Sequence, residues 1–189
     1  TPSSAASDVY KRQGDTYTGM NASESFSEED YDYAQETLRI LSGLYGVLRP
    51  LDLIQPYRLE MGTKLETEYG KNLYEFWGNS LTESLNKALD ESPGEKVLIN
   101  LASNEYFKSV HADELEFPVM TPIFLDRKDE GDYKTVSFYA KRARGSMASW
   151  IIRNRVSQSE QFQEFAENGY EFCSERSKNR SPVFIRTNS

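Results

Sequence analysis

Three short stretches of this chain set groups that can hold or transfer charge beside apolar residues. The sharpest is 137–147 (SFYAKRARGSM). It lies inside a longer run, 133–159, that has no acidic residue but carries Lys134, Lys141, Arg142, Arg144, Arg153 and Arg155. Across the chain 30 Asp and Glu outweigh 22 Lys and Arg, for a net charge of −8. Against that background a local cluster of cations marks a candidate anion site, with Lys141, Arg142 and Arg144 at its centre. The second stretch, 100–108 (NLASNEYFK), brings Asn100, Ser103, Glu105 and Lys108 to the end of an apolar run. There Glu105 is a candidate acid or base, and Lys108 a candidate partner or cation. The third, 41–62 (LSGLYGVLRPLDLIQPYRLEMG), has Gly43 and Gly46 bounding a tight turn. Between Thr37 and Leu59 the charges are Arg39, Arg49 and Arg58 against a lone acid, Asp52. If helices flank the turn, its amides and the following helix can take a backbone phosphate, the chemistry of a helix-hairpin-helix. Each stretch also has a plainer reading. The cations can pack on the chain's own acidic surface, Glu105 and Lys108 can be a surface pair three residues apart, and 41–62 can be an ordinary helical hairpin.

The elements that must position these groups follow from periodicity. Ser27 with Asp30 has the form of a capping box, and Tyr31, Ala34, Leu38 and Leu41 recur at helical spacing, which predicts a helix over 28–42. Leu73, Phe76, Trp77, Leu81, Leu85 and Leu89 predict a second over 72–89. The run KVLINL, 96–101, predicts a buried strand feeding a short helix over 104–110 capped by Ser103. A strand is expected over 119–127, disturbed by Pro122. Alternation of Val136, Phe138 and Ala140 predicts another over 133–141. Helices are expected over 145–156 and 160–167, and 170–174 with 182–187 as a closing hairpin. The expected class is α+β, mixed α/β: one domain with a mixed sheet flanked by helices.

Composition narrows the function. At 189 residues, 38% hydrophobic and 28% charged, the chain suits one globular domain. A single cysteine, Cys173, excludes an internal disulfide, and a single histidine, His111, excludes a histidine-rich metal site. No metal or cofactor is expected. No apolar run is long enough to span a bilayer, so no membrane partner is expected and the cytoplasm is the expected compartment. Residues 1–13 (TPSSAASDVYKRQ) share no periodicity with the rest of the chain and read as a foreign or disordered extension.

Several long motifs together resemble one bacterial family. GDTYTGM (14–20), 41–66, LYEFWG (73–78), INLASNEYFKSV (99–110) and 137–147 stand in the order and spacing of YaaA peroxide stress proteins. Gly169-Tyr170 and the closing PVFIR fit that family's C-terminus, so the resemblance covers about 14–186. It implies a cytoplasmic protein of peroxide stress that limits free iron, with a fold peculiar to the family, a positively charged cleft, a helix-hairpin-helix and binding to DNA. Carried onto this chain, the hairpin falls on 41–48 with Gly43 and Gly46. The cleft's cations fall on Lys141, Arg142 and Arg144, with Arg49, Arg58 and Lys108 as further candidates. Members begin with a strand bearing an I-S-P-A-K-like motif and a helical region, which this chain lacks, so 14–189 reads as an N-terminally shortened member.

Two functions remain open. One is a non-enzymatic protein that binds double-stranded DNA without sequence readout. The other is an enzyme acting on a nucleotide or nucleobase in a pocket of Asn100, Ser103, Glu105, Lys108, Lys141 and Arg144. The residues weigh toward the first.

Overall fold

A computed structural model of the chain describes residues 14–188; the extension expected over 1–13 lies outside them. Helix α1 is Asp15–Met20, α2 Ala22–Ser25 and α3 Glu28–Thr37. The capping box at the start of α3 forms as expected. Ser27 N–H donates to Asp30 Oδ2 at 2.9 Å, and Asp30 N–H donates to Ser27 Oγ at 3.3 Å. That satisfies two amides that a helix start otherwise leaves free. Asp30 also receives Arg155 Nη1 at 2.6 Å, which ties α3 to the distant end of the longest helix.

The expected helix over 28–42 stops at Thr37, because Leu38 takes extended backbone. Strands β1 (Ile40–Ser42) and β2 (Gly46–Leu48) then pair antiparallel, Ser42 opposite Gly46. The stretch read as a helix-hairpin-helix is therefore a β-hairpin. Its turn is held by Ser42 Oγ, which accepts the N–H of Leu44 and of Tyr45. Gly46 supplies the left-handed backbone, φ +75°, that such a turn needs. The helix expected over 72–89 is two helices, α4 (Leu73–Trp77) and α5 (Ser80–Glu91), parted at Gly78 with φ +49°.

Strand β3 is only Leu98–Ile99, parallel to β4 (Val119–Met120), and α6 is Asn104–Phe107. Pro122 does interrupt the strand expected over 119–127. Before it β4 pairs with β3; after it β5 (Ile123–Lys128) pairs parallel with β7 (Val183–Asn188). The expected closing hairpin forms between β6 (Glu171–Phe172) and β7, so the sheet runs β5-β7-β6. Among the described residues the strands thus divide into three small sheets within a mixed α and β architecture.

The largest departure is at 133–141. Instead of a strand, α7 runs Ser137–Arg153, leaving only Lys134 bridged to Asp126. Ala140, Ala143 and Met147 face the core at helical spacing, and burial there overrides the local alternation. They pack with Phe124, Phe162, Phe165, Tyr170 and Phe184. The helix expected over 160–167 is two 3₁₀ turns, Ser159–Glu164 and Glu167–Gly169.

Helix α1 crosses α7 at backbone contact. A Cβ built on Gly145 would sit 1.8 Å from the Thr16 carbonyl oxygen, and one on Gly19 2.1 Å from that of Arg142. Glycines at both positions are what let the two helices touch.

Candidate functional site

A cleft of about 980 Å³ opens between α1, α3, β1, α5, β3 and α7. Much of its wall is apolar: Leu85 and Leu89 from α5, Ile99 from β3, Ile151 and Ile152 from α7, and Phe162. Its polar groups come from the segments that the sequence singles out. Asn100, Ser103, Glu105, Lys141 and Arg144 all line it.

Each is held differently. Arg144 lies on α7 and reaches across to the end of β3, where Nη1 donates to the Ala102 carbonyl at 3.0 Å and Nε to the Ala140 carbonyl at 3.2 Å. It is half-buried, and loss of water lowers its proton affinity. No carboxylate pairs with it among the described residues. Arg39 joins it from the loop before β1, its Nη1 donating to the carbonyls of Gln35 and Leu38. Burial, then repulsion from Arg49, lowers its proton affinity, while Asp52 and Glu91 oppose the shift. Lys141 is exposed at the rim. The cleft therefore carries three cations, two of them partly desolvated and bonded only to neutral carbonyls. Asp15, Glu60, Glu95 and Glu105 also lie on its lining.

Asn100 is buried and structural. Its Oδ1 accepts the Ala102 N–H at 3.1 Å, and its Nδ2 points to Thr121 Oγ1 at 3.4 Å, which fixes the chain as it leaves β3. Ser103 caps α6 by accepting the Tyr106 N–H. Glu105 Oε1 accepts the Gly62 N–H at 2.8 Å, joining the 100–108 and 41–62 segments and leaving its other oxygen available.

The remaining candidates are not on the cleft lining. Lys108 is exposed over the Tyr74 ring at 5.1 Å, and Arg142 is exposed over Phe138 at 4.6 Å. Arg49 and Arg58 are exposed, with the Arg49 N–H donated to Asp52. Gly43 and Gly46 shape the hairpin, and the Gly43 carbonyl accepts Trp77 Nε1 at 3.0 Å. The two turn amides between them are engaged by Ser42 and no helix follows, so the hairpin lacks the phosphate-binding geometry expected of it.

A second polar cluster went unmarked in the sequence. Asp126 is 2% exposed and accepts from Tyr170 Oη at 2.8 Å and from Arg186 Nε at 2.8 Å. Burial first, then the bond to Asp126, pushes the Tyr170 phenol well above its ordinary value. The Gly169-Tyr170 and PVFIR motifs were the available signal, but nothing in them named Asp126 as their meeting point. His111 lies 3.6 Å from Glu114 at the surface, and Cys173 is half-buried beside β6.

Among the described residues no three His, Cys, Asp or Glu side chains converge on a metal position, and no helix is long and apolar enough to cross a membrane. A family model described as peroxide stress protein YaaA matches residues 1–176, a span that includes the whole lining of the cleft.

Proposed function

The chain belongs to the YaaA peroxide stress protein family, and on that premise we propose that it limits the free iron available to peroxide and binds double-stranded DNA without sequence readout. Phosphate contacts come from cations at the cleft, and the effect on iron is indirect. One observation carries the DNA contact: Arg39 and Arg144 are half-buried with no carboxylate partner among the described residues, and Lys141 stands beside Arg144 on α7. A partly desolvated guanidinium bonded only to neutral carbonyls gains most from an arriving phosphate. Arg49, Arg58, Lys108 and Arg142 are exposed and free to extend the contact over the surface.

The test is titration of labelled duplex DNA at several salt concentrations. Each phosphate contact contributes about 0.9 to the slope of log K against log salt. Lys141→Ala should lower the slope by about one contact's worth, and adding Arg144→Ala by about another. Arg144 also ties α7 to Ala102, so circular dichroism must show that the double variant is folded. Absence of binding at low salt, or an unchanged slope in the folded double variant, refutes the contact.

A second activity is favoured by a separate observation. Asn100, Ser103, Glu105, Lys141 and Arg144 share one cavity, as an enzyme acting on a nucleotide or nucleobase requires. Glu105 would serve as acid or base through the oxygen that Gly62 leaves available. Glu105→Gln should then abolish turnover while leaving nucleotide binding intact. No saturable thermal shift with any nucleotide or nucleobase would sink this activity.

A further inference from the structure

Asn168-Gly169 is the sole Asn-Gly step in the sequence. Glycine has no Cβ to shield its nitrogen, so at such a step that nitrogen can attack the preceding asparagine's Cγ. The new N–Cγ bond closes a succinimide, ammonia leaves, and water opens the ring to aspartate or isoaspartate. In the fold that attack is blocked. Asn168 is left-handed, φ 56° and ψ 29°, which sets the Gly169 nitrogen nearly opposite the side chain across the Cα–C bond. Turning ψ to bring them together would swing the Asn168 carbonyl off Arg186 Nη1, its donor at 3.2 Å. The side chain would also have to leave Ser146, to whose Oγ its Nδ2 donates at 2.7 Å. Both residues of the step are exposed, so water reaches it once it opens.

We propose that Asn168 is a deamidation site, held closed by the folded turn, and that its conversion to aspartate or isoaspartate loosens α1 from α7. Ser146 is 4% exposed; its single hydroxyl hydrogen goes to the Gly19 carbonyl at 3.2 Å, while its oxygen accepts from Asn168. The chain of bonds thus runs from the 3₁₀ turn Glu167–Gly169 through α7 to α1. A carboxylate at position 168 has no hydrogen to offer. Ser146 must then face it oxygen to oxygen or turn its hydrogen away from Gly19, and either way one bond of a partly buried chain is lost. Gly19 lies where α1 meets α7, so the loss falls on the crossing that walls the cleft. The inference goes beyond both readings of the cleft and stands whether or not the cleft binds DNA.

The test incubates the full chain in mildly alkaline buffer, with and without guanidinium chloride, and follows Asn168 by peptide mapping and mass spectrometry. In denaturant Asn168 should convert ahead of every other asparagine. In the folded chain it should convert at least about tenfold more slowly, since the step must first open locally. Ser146→Ala, which leaves Nδ2 without its acceptor, should raise the folded rate about fivefold and leave the denatured rate unchanged. The consequence is read separately by amide exchange in Asn168→Asp, which carries the product's charge and tolerates the same left-handed backbone. Amides of α1 should exchange faster there than in the parent, and less so in Asn168→Gly, which removes the amide without adding a carboxylate. Equal rates in folded and denatured chains, or another asparagine converting first in denaturant, would overturn the deamidation site. A parent-like folded rate in Ser146→Ala would remove the gate, and parent-like α1 exchange in Asn168→Asp would end the coupling to the crossing.

Discussion

Replacing Gly145 by alanine tests the close crossing of α1 and α7 on which one wall of the cleft depends. The added Cβ would stand 1.8 Å from the Thr16 carbonyl oxygen, 2.6 Å from the Met20 nitrogen and 2.9 Å from the Thr16 carbonyl carbon. All three are backbone atoms, so no rotamer change can clear them. The helices must separate by well over 1 Å before the contact becomes ordinary, which opens the packing of Met20, Ala22 and Ala148. Overpacking of this kind costs about 1–3 kcal/mol even where side chains can yield, and more where only backbone can. Alanine's better helix propensity returns about 1 kcal/mol. The net expectation is a loss of at least about 2 kcal/mol, or about 4–8 °C in Tm for a chain of this size. Urea denaturation followed by circular dichroism reads it directly. A variant within about 0.5 kcal/mol of the parent, or one stabilised by the propensity gain alone, would refute the backbone-contact argument.

Tyr170→Phe removes the donor to Asp126 Oδ2 and should cost about 1–3 kcal/mol in the same assay, since the carboxylate stays 2% exposed. Burial holds the folded Tyr170 phenol protonated where the unfolded chain ionises, so its contribution is whole below about pH 10 and lost as pH rises beyond it. Alkaline unfolding should therefore be shallower in Tyr170→Phe than in the parent. Asp30→Asn should cost about 1–2 kcal/mol by weakening the α3 cap and the tie to Arg155. The Ser27 amide first, then Arg155, holds the Asp30 carboxyl below the usual range, so that stability is present at neutral pH and lost as the solution is acidified through its depressed pKa. A parent-like acid limb in Asp30→Asn would count against it. Gly46→Ala should cost about 1–2 kcal/mol, because the backbone there is left-handed and the new methyl would meet the Trp77 ring at 3.0 Å.

What could be read in the sequence was chiefly what local signals encode. The Ser27–Asp30 box, the Ser103 cap, the break at Pro122 and the 170–187 hairpin each rest on neighbouring residues, and each forms. The errors lie where a local pattern served two structures. Leu38 and Leu41 satisfied helical spacing, but Ser42 and Gly46 could close a tighter β-turn that also filled the space under Trp77. Val136, Phe138 and Ala140 alternated, yet Ala140 and Ala143 fitted a helix against the Phe124 core and Gly145 let that helix meet α1, contacts no window of sequence contains. The same limit governed the site. Five candidates from two segments do meet in the cleft, while Arg142, next in sequence to Lys141, turns out to stack on Phe138 because one helical step is 100°. Arg39 was visible only as one charge among several until the fold brought it to the cleft.

The placement of β7 has a consequence for the order in which the molecule can be assembled. Ile123 pairs with Val183, and the parallel register holds through Lys128 and Asn188, so each contact closes a loop of 60 residues. At ribosomal speeds of about 5–20 residues per second, β5 waits about 3–12 s for the strand that completes it. During that interval the apolar Phe124, finally 2% exposed, has no Phe184 against it, and for most of it no Tyr170 either. The nascent chain is most vulnerable then to wrong pairings along β5, and long-range closure of this kind is the slow step expected when the protein refolds from denaturant.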